Sequence, residues 1–351
     1  MSGTAVRLGV IGSGSWATAL AKVLTDNGHS IAWWVRENSI IDSFQRKRHN
    51  PRHLTSTRFP IERIQFSTDI NLVLQASDWI LIAVPAAYCE SALRQSDPTA
   101  WNGKKVISAV KGLLPGSNLL LNDYLMQHAE LPLTDYFALL GPSHAEEVAA
   151  EKLSYLTFSG VDTSMAERIA AVFSNEYINT LVNDDILGVQ YAAVLKNVYA
   201  LGAGIANGLD YGDNFLSVLI ANAADEMAGF LKKLGAYHIV VGEQESEDPI
   251  THRMMPNYAA SVYLGDLLVT CYSLHSRNRR LGGLIGKGYS MEAAKGEMIM
   301  VAEGLPASNC IHQVNEGRVK VDMPIAEAVY RICWGQADPA ETFRVLEGQL
   351  I

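Results

Sequence analysis

The segment Gly12–Ala17 combines residue types and spacing that suit phosphate binding. Its sequence, Gly-Ser-Gly-Ser-Trp-Ala, has the G-x-G-x-x-A form of a dinucleotide-binding turn. Gly12 allows a tight turn, Gly14 lets the backbone approach a pyrophosphate, and Ala17 lets a helix pack closely on a strand. The alternative is an ordinary glycine turn. The position of the motif, after a first apolar run and before a first helical segment, favours a nicotinamide dinucleotide, NAD or NADP.

The second apolar run is followed by Arg36 and Glu37. NAD-binding folds usually carry an acid there, about 20 residues past the glycines, that binds the ribose 2′-hydroxyl. Arg36 instead favours the 2′-phosphate of NADP, which predicts that NADPH is used at least as well as NADH. Two alternatives stay open: an Arg36 that points to solvent, and a Glu37 that turns towards the ribose.

Two lysines occupy positions that suit substrate binding or proton transfer. Lys111 follows an apolar run, at the edge where doubly wound sheets bind ligands, although surface lysines are common. Lys196 precedes Asn197 in the middle of the apolar stretch Ile186–Ile205. Burial disfavours a charged amine, and a lysine in such surroundings can exchange protons near neutral pH. The alternative is a lysine whose amine extends to the surface.

Two further segments are candidates for the substrate. Ser276–Arg280 holds three arginines in four residues, and guanidinium groups bind phosphate dianions through paired hydrogen bonds. In a chain with a formal net charge of -9, this clustering favours an anion site over a solvated basic loop. Gly141–Ala145 follows another apolar run and is expected to line a ligand cleft, unless it is a turn in which Ser143 caps a helix.

Length, composition and charge limit the class of protein. A chain of 351 residues is too long for one ordinary hydrophobic core, which predicts two domains. The acidic net charge disfavours nucleic acid as a partner. The four cysteines lie far apart and are expected to be free thiols, and the histidines show no metal-ligand spacing. No signal peptide is visible and Lys196 argues against a membrane span, so a cytoplasmic location is expected.

Short apolar runs alternate with helical segments through the first half of the chain. The runs are Val6–Ile11, Ile31–Val35, Trp79–Val84, Val106–Val110, Phe137–Leu140 and Tyr155–Phe158, and the helical segments include Trp16–Asn27, Asp69–Ala76 and Asn118–His128. Nearly continuous apolar runs are typical of strands that are covered on both faces of a parallel sheet. The pattern therefore predicts an α/β, Rossmann-like, doubly wound parallel sheet over residues 1–184.

From Asp184 onward the pattern is helical and predicts an all-α C-terminal domain over residues 185–351. The expected helices are Asp185–Asn207, Phe215–Leu234, a stretch around Ala259–Cys271, Met291–Glu303, Ile325–Trp334 and Pro339–Leu350. Pro324 and Pro339 stand where a first helical turn tolerates proline. The polar stretch Gly242–Arg253 is expected to be a surface loop.

In their order and spacing these segments resemble the NAD(P)-dependent glycerol-3-phosphate dehydrogenases of the bacterial type. The resemblance runs over most of the chain and rests on Gly12–Leu20, Val110–Gly112, Gly141–Ala145, Gly188–Gln190 with Lys196 and Asn197, Gly265–Cys271, Ser276–Arg280 and Val301–Gly304. It implies that NAD(P)H reduces a triose phosphate, dihydroxyacetone phosphate, to sn-glycerol 3-phosphate for glycerophospholipid synthesis. A homodimer is also expected.

The resemblance implies roles for individual residues. Lys196 would exchange a proton with the substrate hydroxyl, and Lys111 and Asp266 would lie beside the substrate. The implied substrate-binding residues are Lys111, Gly141, Ser143, Lys196, Asn197, Asp266, Thr270, Ser276, Arg277 and Asn278. The implied cofactor-binding residues are Gly12, Gly14, Ser15, Trp16, Ala17, Arg36, Lys111, Ala145, Arg277, Val301 and Glu303. No metal is expected.

Two rival functions stay open. A β-hydroxyacid dehydrogenase has a similar two-domain plan and also uses a lysine, but its substrate carries a carboxylate, and the basic Ser276–Arg280 segment argues against it. A redox sensor that holds a dinucleotide without turnover is the second rival. The combination of Lys111, Lys196 and Asp266 argues against that.

Residues 234–265 form a longer segment than the family usually has, and no role is assigned to them.

Overall fold

Two compact units make up the structure, which is a computed structural model that describes residues 6–236, 245–247, 254–256, 261–298 and 300–351. The first unit comprises Met1–Val110 and Leu119–Ile186. The second comprises Lys111–Asn118 and Leu187–Ile351. The predicted division into residues 1–184 and 185–351 is continuous, whereas the structure groups Lys111–Asn118 with the second unit.

The first unit is built on an eight-stranded sheet. Its strands are β1 (Leu8–Ile11), β2 (Ile31–Trp34), β3 (Ile64–Ser67), β4 (Trp79–Ile82), β5 (Lys105–Ser108), β6 (Tyr136–Leu140), β7 (Ser154–Ser159) and β8 (Ile178–Asn183). Their order across the sheet is β3-β2-β1-β4-β5-β6-β7-β8. Neighbouring strands are parallel except for β6 and β7, which are antiparallel. The predicted Rossmann-like class is confirmed. The sequence predicted a fully parallel sheet, and the antiparallel pair of β6 and β7 corrects that prediction.

The apolar runs do not predict β3 and β8, which are the two edge strands of the sheet. In β8, Ile178 is buried, whereas the side chain of Leu181 is 42% exposed. An edge strand has one neighbour and is less completely covered, so its sequence need not be a continuous apolar run. The criterion that identified the central strands therefore fails at the edges for a physical reason.

Seven α-helices of the first unit connect or flank these strands. They are α1 (Ser15–Asp26), α2 (Asn38–Lys47), α3 (Ile70–Ala76), α4 (Ala86–Leu93), α5 (Leu121–Ala129), α6 (Ala145–Ala149) and α7 (Thr163–Phe173). Helices α1 and α3 lie where the sequence predicts them. Helix α5 begins three residues after the predicted start at Asn118, because Asn118 has a φ of 56°, which belongs to the left-handed region and not to a right-handed helix.

The second unit is mainly helical, as predicted. Its α-helices are α8 (Ile186–Gly208), α9 (Asp213–Lys233), α10 (Asp266–Tyr272), α11 (Arg277–Gly286), α12 (Met291–Gly296), α13 (Gly304–Val314), α14 (Pro324–Cys333) and α15 (Pro339–Glu347). Short π-helical segments, Ser261–Gly265 and Asn315–Val319, precede α10 and follow α13. Pro324 and Pro339 occupy the first turns of α14 and α15, as expected.

Several predictions for the second unit need correction. The described part of the expected loop Gly242–Arg253 is strand β9 (Glu245–Glu247), which pairs antiparallel with β10 (Met254–Pro256). The rest of that loop, and Ala259 with Ala260 of the next predicted helix, lie outside the described residues. The predicted helix Met291–Glu303 is wrong: α12 ends at Gly296, and a separate helix, α13, begins at Gly304.

Helix α11 was not predicted because glycines disfavour an isolated helix, and here the same glycines are required by packing. A Cβ on Gly282 would lie 2.1 Å from the carbonyl oxygen of Leu201 in α8. A Cβ on Gly204 of α8 would lie 2.2 Å from the carbonyl oxygen of Arg279. The backbones of α8 and α11 therefore touch, with α11 packed against the C-terminal part of α8.

Cysteine pairing and membrane spanning can also be checked against the structure. All four cysteines are free; Cys89, Cys271 and Cys310 are buried as expected, and Cys333 is half-buried. Among the described helices, α8 included, none combines the length and the apolar character needed to cross a membrane.

Candidate dinucleotide and substrate sites

The turn between β1 and α1 accepts only glycine at its first position. Gly12 has a φ of +124°, a conformation that residues with a side chain rarely adopt. A Cβ at this position would also lie 2.5 Å from the carbonyl oxygen of Ala83, just beyond β4. Conformation and packing within the first unit therefore both require Gly12.

Gly14 differs from Gly12, because no described residue requires a glycine there. Its φ of -74° and ψ of -177° describe extended backbone that any residue adopts. A Cβ on Gly14 would meet no atom within 4 Å. The open space in front of its backbone fits the close approach of a pyrophosphate group.

Three successive carbonyl groups of this turn accept hydrogen bonds from side chains of the first unit. The donors are Trp33 Nε1 to Gly12 at 2.6 Å, Asn50 Nδ2 to Ser13 at 3.0 Å and Thr18 Oγ1 to Gly14 at 2.8 Å. Oxygen atoms that would repel an anion are thereby engaged by the protein. The side chains described at the N-terminus of α1 include no cap, and its first turn holds no acid. This arrangement fits a phosphate group at the start of α1.

Arg36 follows β2, and its side chain is 67% exposed. Its guanidinium forms an ion pair with Glu37 at 3.1 Å. The same carboxylate accepts two hydrogen bonds from Arg52, at 2.9 and 2.6 Å. Arg52, and then Arg36, lower the pKa of Glu37 to about 2. The carboxylate of Glu37 is thus directed at two arginines, one of which the sequence did not identify as a site residue.

Gly141–Ala145 follows β6 and begins with a second turn that requires glycine. Gly141 has a φ of +120°, and a Cβ on it would lie 2.7 Å from the carbonyl oxygen of Tyr155. Ser143 donates its hydroxyl to the carbonyl of Gly141 at 3.0 Å, so the interpretation of Ser143 as a helix cap is wrong. Ala145 is buried and begins α6.

Lys196 of α8 and Asp266 of α10 form a buried ion pair in the second unit. The distance from Nζ to Oδ1 is 2.5 Å, and the side chains are 5% and 2% exposed. The alternative in which Lys196 extends to the surface is therefore wrong. The second carboxylate oxygen, Asp266 Oδ2, is buried and has no hydrogen-bond partner among the described residues. A buried acceptor of this kind can take a hydrogen bond from a bound hydroxyl group.

Lys111 lies within electrostatic range of this pair. Burial, and then the positive charge of Lys196, lower the pKa of Lys111 to about 8. Asp266 and Glu303 act in the opposite direction, and Arg277 lowers the pKa further. The structure therefore brings together five ionisable side chains from distant parts of the sequence, all of which the sequence had named as site residues.

Asn197 and Asn278 form a chain of buried amides beside the lysines. Asn278 Nδ2 donates to Asn197 Oδ1 at 2.9 Å, and the backbone N–H of Gly304 donates to Asn278 Oδ1 at 2.8 Å. Asn197 Nδ2 donates to the carbonyls of Lys111, at 3.3 Å, and of Ala193, at 3.1 Å. Most of the hydrogen-bonding capacity of both amides is thus used to hold Lys111, α8, α11 and α13 together.

The three arginines of Ser276–Arg280 use their guanidinium groups differently. Two donate to main-chain carbonyls, Arg279 to Tyr272 at 2.8 Å and Arg280 to Glu297 at 3.4 Å. Arg277 is exposed and contacts Met300 Sδ at 3.9 Å; within the described part of the chain, no carboxylate or carbonyl binds its guanidinium. Arg277 therefore has the most donors left for a phosphate group.

Four other predicted residues flank this cluster. Ser276 is the N-cap of α11 and accepts a hydrogen bond from the N–H of Arg279 at 3.3 Å. Thr270 is buried and donates its hydroxyl to the carbonyl of Asp266 at 2.6 Å. Val301 is half-buried, and Glu303 is the N-cap of α13. The hydrogen bonds of Ser276 and Thr270 tie them to α11 and α10, the helices that begin with Arg277 and Asp266.

The sequence reasoning missed Trp33, Asn50 and Arg52, which support the first unit's site. No local pattern distinguishes Trp33 or Asn50, since their roles depend on contacts with residues 21 to 37 positions away. The sequence did carry a signal for Arg52: residues 46–58 contain four arginines, one lysine and no aspartate or glutamate, which is typical of an anion site.

Comparisons with known proteins identify the family of this chain. Two family models match, the NAD-dependent glycerol-3-phosphate dehydrogenase N-terminus over residues 7–166 and the corresponding C-terminus over residues 185–344. A glycerol-3-phosphate dehydrogenase [NAD(P)+] of Bacillus cereus (strain AH187) is 33% identical over 352 residues, which cover 98% of this chain and 96% of that protein.

Solved structures give the same result. The crystal structure of glycerol-3-phosphate dehydrogenase from Coxiella burnetii is 27% identical, with a TM-score of 0.84 over 97% of this chain and 98% of that one. A Plasmodium falciparum glycerol-3-phosphate dehydrogenase, 23% identical, has a TM-score of 0.79 over 97% of this chain and 94% of that one, which shows the shared fold.

Proposed function

Because the chain belongs to the NAD-dependent glycerol-3-phosphate dehydrogenase family, we infer that it is an oxidoreductase that interconverts dihydroxyacetone phosphate and sn-glycerol 3-phosphate with NAD or NADP. The rival functions are not favoured, since relatives of this name match nearly the whole chain. The observation that carries the inference is the buried pair of Lys196 and Asp266 with Lys111 beside it. Two lysines and one carboxylate give this site a net positive charge that suits an anionic substrate.

Reduction of a ketone requires a proton at the carbonyl oxygen and stabilisation of the charge that develops there. We assign the proton to Lys196 Nζ, which donates it to the C2 oxygen during reduction and takes it back during oxidation. Asp266 Oδ1 orients the ammonium group of Lys196, and Asp266 Oδ2 is available to accept a hydrogen bond from a substrate hydroxyl. Lys111 adds a second positive charge that stabilises the developing oxyanion.

The cofactor and the phosphate end of the substrate are assigned to other groups. A nicotinamide dinucleotide supplies hydride-transfer chemistry when it is bound. The residues proposed to hold it are Gly12, Gly14, Ser15, Trp16, Ala17, Arg36, Lys111, Ala145, Arg277, Val301 and Glu303. The substrate phosphate is proposed to bind at Ser276 and Arg277, where the N-terminus of α11 and a guanidinium with available donors coincide.

The remaining proposed substrate residues divide into two kinds. Gly141 and Ser143 form a turn that presents backbone and hydroxyl groups, and Thr270 lies one helical turn from Asp266. Asn197 and Asn278 act on the substrate mainly by positioning Lys111 and the start of α11, since their amides are bonded within the protein.

The cellular role and assembly are also proposals. Formation of glycerol 3-phosphate supplies glycerophospholipid synthesis, and a cytoplasmic homodimer fits that role. Light scattering of the purified protein is expected to give twice the chain mass of 38.3 kDa. A mass equal to one chain would rule out the dimer without affecting the assigned reaction.

The reaction can be tested directly by following the loss of the absorbance of the reduced nicotinamide, which NADH and NADPH share. Oxidation of the cofactor is expected with dihydroxyacetone phosphate and not with unphosphorylated dihydroxyacetone or with 2-keto acids. Comparable turnover with any of those controls would overturn the assignment, because the phosphate site would then contribute nothing to specificity.

A further inference from the structure

A basic segment begins in the last turn of α2, in a chain whose net charge is acidic. Residues 46–58 contain Arg46, Lys47, Arg48, Arg52 and Arg58, and no aspartate or glutamate lies between Asp42 and Glu62. Against a formal net charge of -9, this local excess of positive charge favours an anionic ligand. The structure shows which of these residues lies next to the end of β2.

Arg52 is the residue of this segment that meets Arg36, through the carboxylate of Glu37. Arg52 donates two hydrogen bonds to the two oxygens of Glu37, and Arg36 donates one to Oε1. The side chains of Arg36 and Arg52 are 67% and 52% exposed. Each guanidinium carries five N–H donors, so several on each remain for a ligand after the bonds to Glu37 are made.

A buried amide fixes the backbone of Arg52 to the glycine turn. Asn50 is fully buried and donates its Nδ2 to the carbonyl of Ser13 and to Thr18 Oγ1, at 3.0 and 2.9 Å. Its Oδ1 accepts from the N–H groups of Arg52 and His53, at 3.0 and 3.2 Å. Arg52 is therefore held in a defined position relative to the turn proposed to bind the pyrophosphate.

We propose that Arg36 and Arg52 together bind the 2′-phosphate of NADP, and that Arg52 is a second residue that determines cofactor specificity. In this fold the residues after β2 adjoin the 2′-position of the adenosine ribose. Two guanidinium groups match the several acceptor oxygens of a phosphate monoester. The proposal rests on the proposed function only in that a dinucleotide binds at Gly12–Ala17.

Glu37 acts as the counter-ion that holds the two guanidinium groups near each other. With both arginines charged and Glu37 ionised, the trio keeps a net charge of +1, which attracts a phosphate dianion. Because both oxygens of Glu37 are bonded to Arg52, the carboxylate is not directed at a ribose diol as it would be in an NAD-specific site.

Binding of adenosine 2′,5′-bisphosphate and of 5′-AMP to the full-length protein, measured by calorimetry, tests the proposal. The wild type is expected to bind the bisphosphate more tightly. Arg52→Ala and Arg36→Ala are each expected to lower the affinity for the bisphosphate by about tenfold, because a charged hydrogen bond to the 2′-phosphate is lost at a partly exposed site. The affinity for 5′-AMP, which has no 2′-phosphate, is expected to fall by less than about twofold. Arg52→Lys keeps the positive charge but loses the paired N–H donors of the guanidinium, so its affinity for the bisphosphate is expected to lie between those of the wild type and Arg52→Ala.

Arg46→Ala is the matched control, since Arg46 is exposed and its guanidinium donates to the carbonyl of Asp42, not to Glu37. It is expected to leave both affinities unchanged. Unchanged bisphosphate affinity in Arg52→Ala, or equal losses for both ligands, would overturn the proposal and leave Arg52 as a structural partner of Glu37. Turnover of dihydroxyacetone phosphate with NADH in that variant would show that the proposed function survives such a failure.

Discussion

The two units present their candidate sites in different ways. The dinucleotide turn of the first unit is one run of six residues, with a glycine conformation at Gly12 and open space in front of Gly14. The charged cluster of the second unit is assembled from Lys111, Lys196 and Asp266, with up to 155 positions between its members. The first site is a surface of main-chain groups, and the second is a set of buried charges.

This difference predicts how each site responds to substitution. A contiguous turn that presents N–H groups loses ligand affinity when a side chain fills the space in front of it. A buried ion pair couples chemistry to stability, because removal of one partner leaves an uncompensated charge in a low-dielectric environment. Variants of the glycine turn are therefore expected to lower dinucleotide affinity, and variants of the buried ion pair are expected to lower the rate of the reaction.

The largest expected effect is that of Lys196→Met. Loss of the proton donor is expected to lower kcat by about 10²- to 10⁴-fold. The dissociation constant for NADPH is expected to stay within about twofold of wild type, because Lys196 is not among the residues proposed to hold the dinucleotide. Steady-state kinetics and a fluorescence titration of the dinucleotide measure the two quantities.

Lys232→Met, at an exposed lysine of α9, serves as the control and should retain activity. The double variant Lys196→Met with Asp266→Asn removes the carboxylate that the single variant leaves unpaired, and tests whether loss of folding accounts for the result. A near-normal kcat in Lys196→Met would show that the lysine is only structural.

Arg277→Ala tests whether the second unit binds the substrate phosphate. The KM for dihydroxyacetone phosphate is expected to rise by roughly 10- to 150-fold, the equivalent of about 1.5–3 kcal/mol for a charged hydrogen bond. Lys287→Ala is the control, since Lys287 is an exposed basic residue at the opposite end of α11 and KM should not change. If KM stays constant in Arg277→Ala, the phosphate binds elsewhere and Arg279 or Arg280 becomes the candidate.

The glycine turn offers a comparison within the first unit. Gly12→Ala is expected to lower the free energy of unfolding by about 1–3 kcal/mol, because its φ of +124° is strained for alanine and the Cβ meets the Ala83 carbonyl. Gly14→Ala is expected to leave the thermal midpoint unchanged and to weaken dinucleotide binding by roughly tenfold, or about 1.4 kcal/mol. Equal losses of stability in the two variants would contradict the distinction.

The smallest expected effect is a pH dependence that belongs to the second unit. The pKa of Lys111 is lowered to about 8, so its amine is charged below that pH and neutral above it. The KM for dihydroxyacetone phosphate is expected to rise several-fold between about pH 7 and pH 9, since the site loses a positive charge. The affinity for adenosine 2′,5′-bisphosphate, whose proposed site lies within the first unit and does not include Lys111, should not follow the same curve.

Lys111→Arg keeps the charge across this range and is expected to flatten the profile of KM against pH. The stability of the fold changes in the other direction. The unfolded chain keeps the proton on Lys111 up to about pH 10.5, whereas the folded chain loses it near pH 8. The contribution of Lys111 to the free energy of unfolding therefore rises as the pH rises from about 8 to about 10.5. A profile of KM that is unchanged in Lys111→Arg would assign the pH dependence to another group.

Some features of the protein follow from the sequence because they are local. The turn at Gly12–Ala17 is defined by glycine geometry within six residues, and the helix α8 by a long apolar stretch. The largely apolar stretch favoured burial of Lys196 and left the surface alternative open, and only the ion pair with Asp266 decided between them.

Other features depend on contacts between distant residues. The strands β3 and β8 are defined by their neighbours in the sheet and not by continuous apolar runs. Helix α11 contains glycines that disfavour an isolated helix, and it is stable because those glycines permit contact with α8. The pairing of Arg52 with Glu37 spans 15 residues, and the clamp of Asn50 on Ser13 spans 37.

The sequence by itself determined the class of fold, the dinucleotide turn and the residues that carry charge. Tertiary structure alone decided which of those charges are paired, which amides are consumed within the protein and which arginines keep donors for a ligand. The physical reason is that a side chain's identity sets what it can bond, whereas burial and geometry set what it does bond. Asn197 illustrates the point: the sequence names it as a substrate-binding candidate, and its hydrogen bonds with Lys111 and Asn278 support the proposal that it positions them.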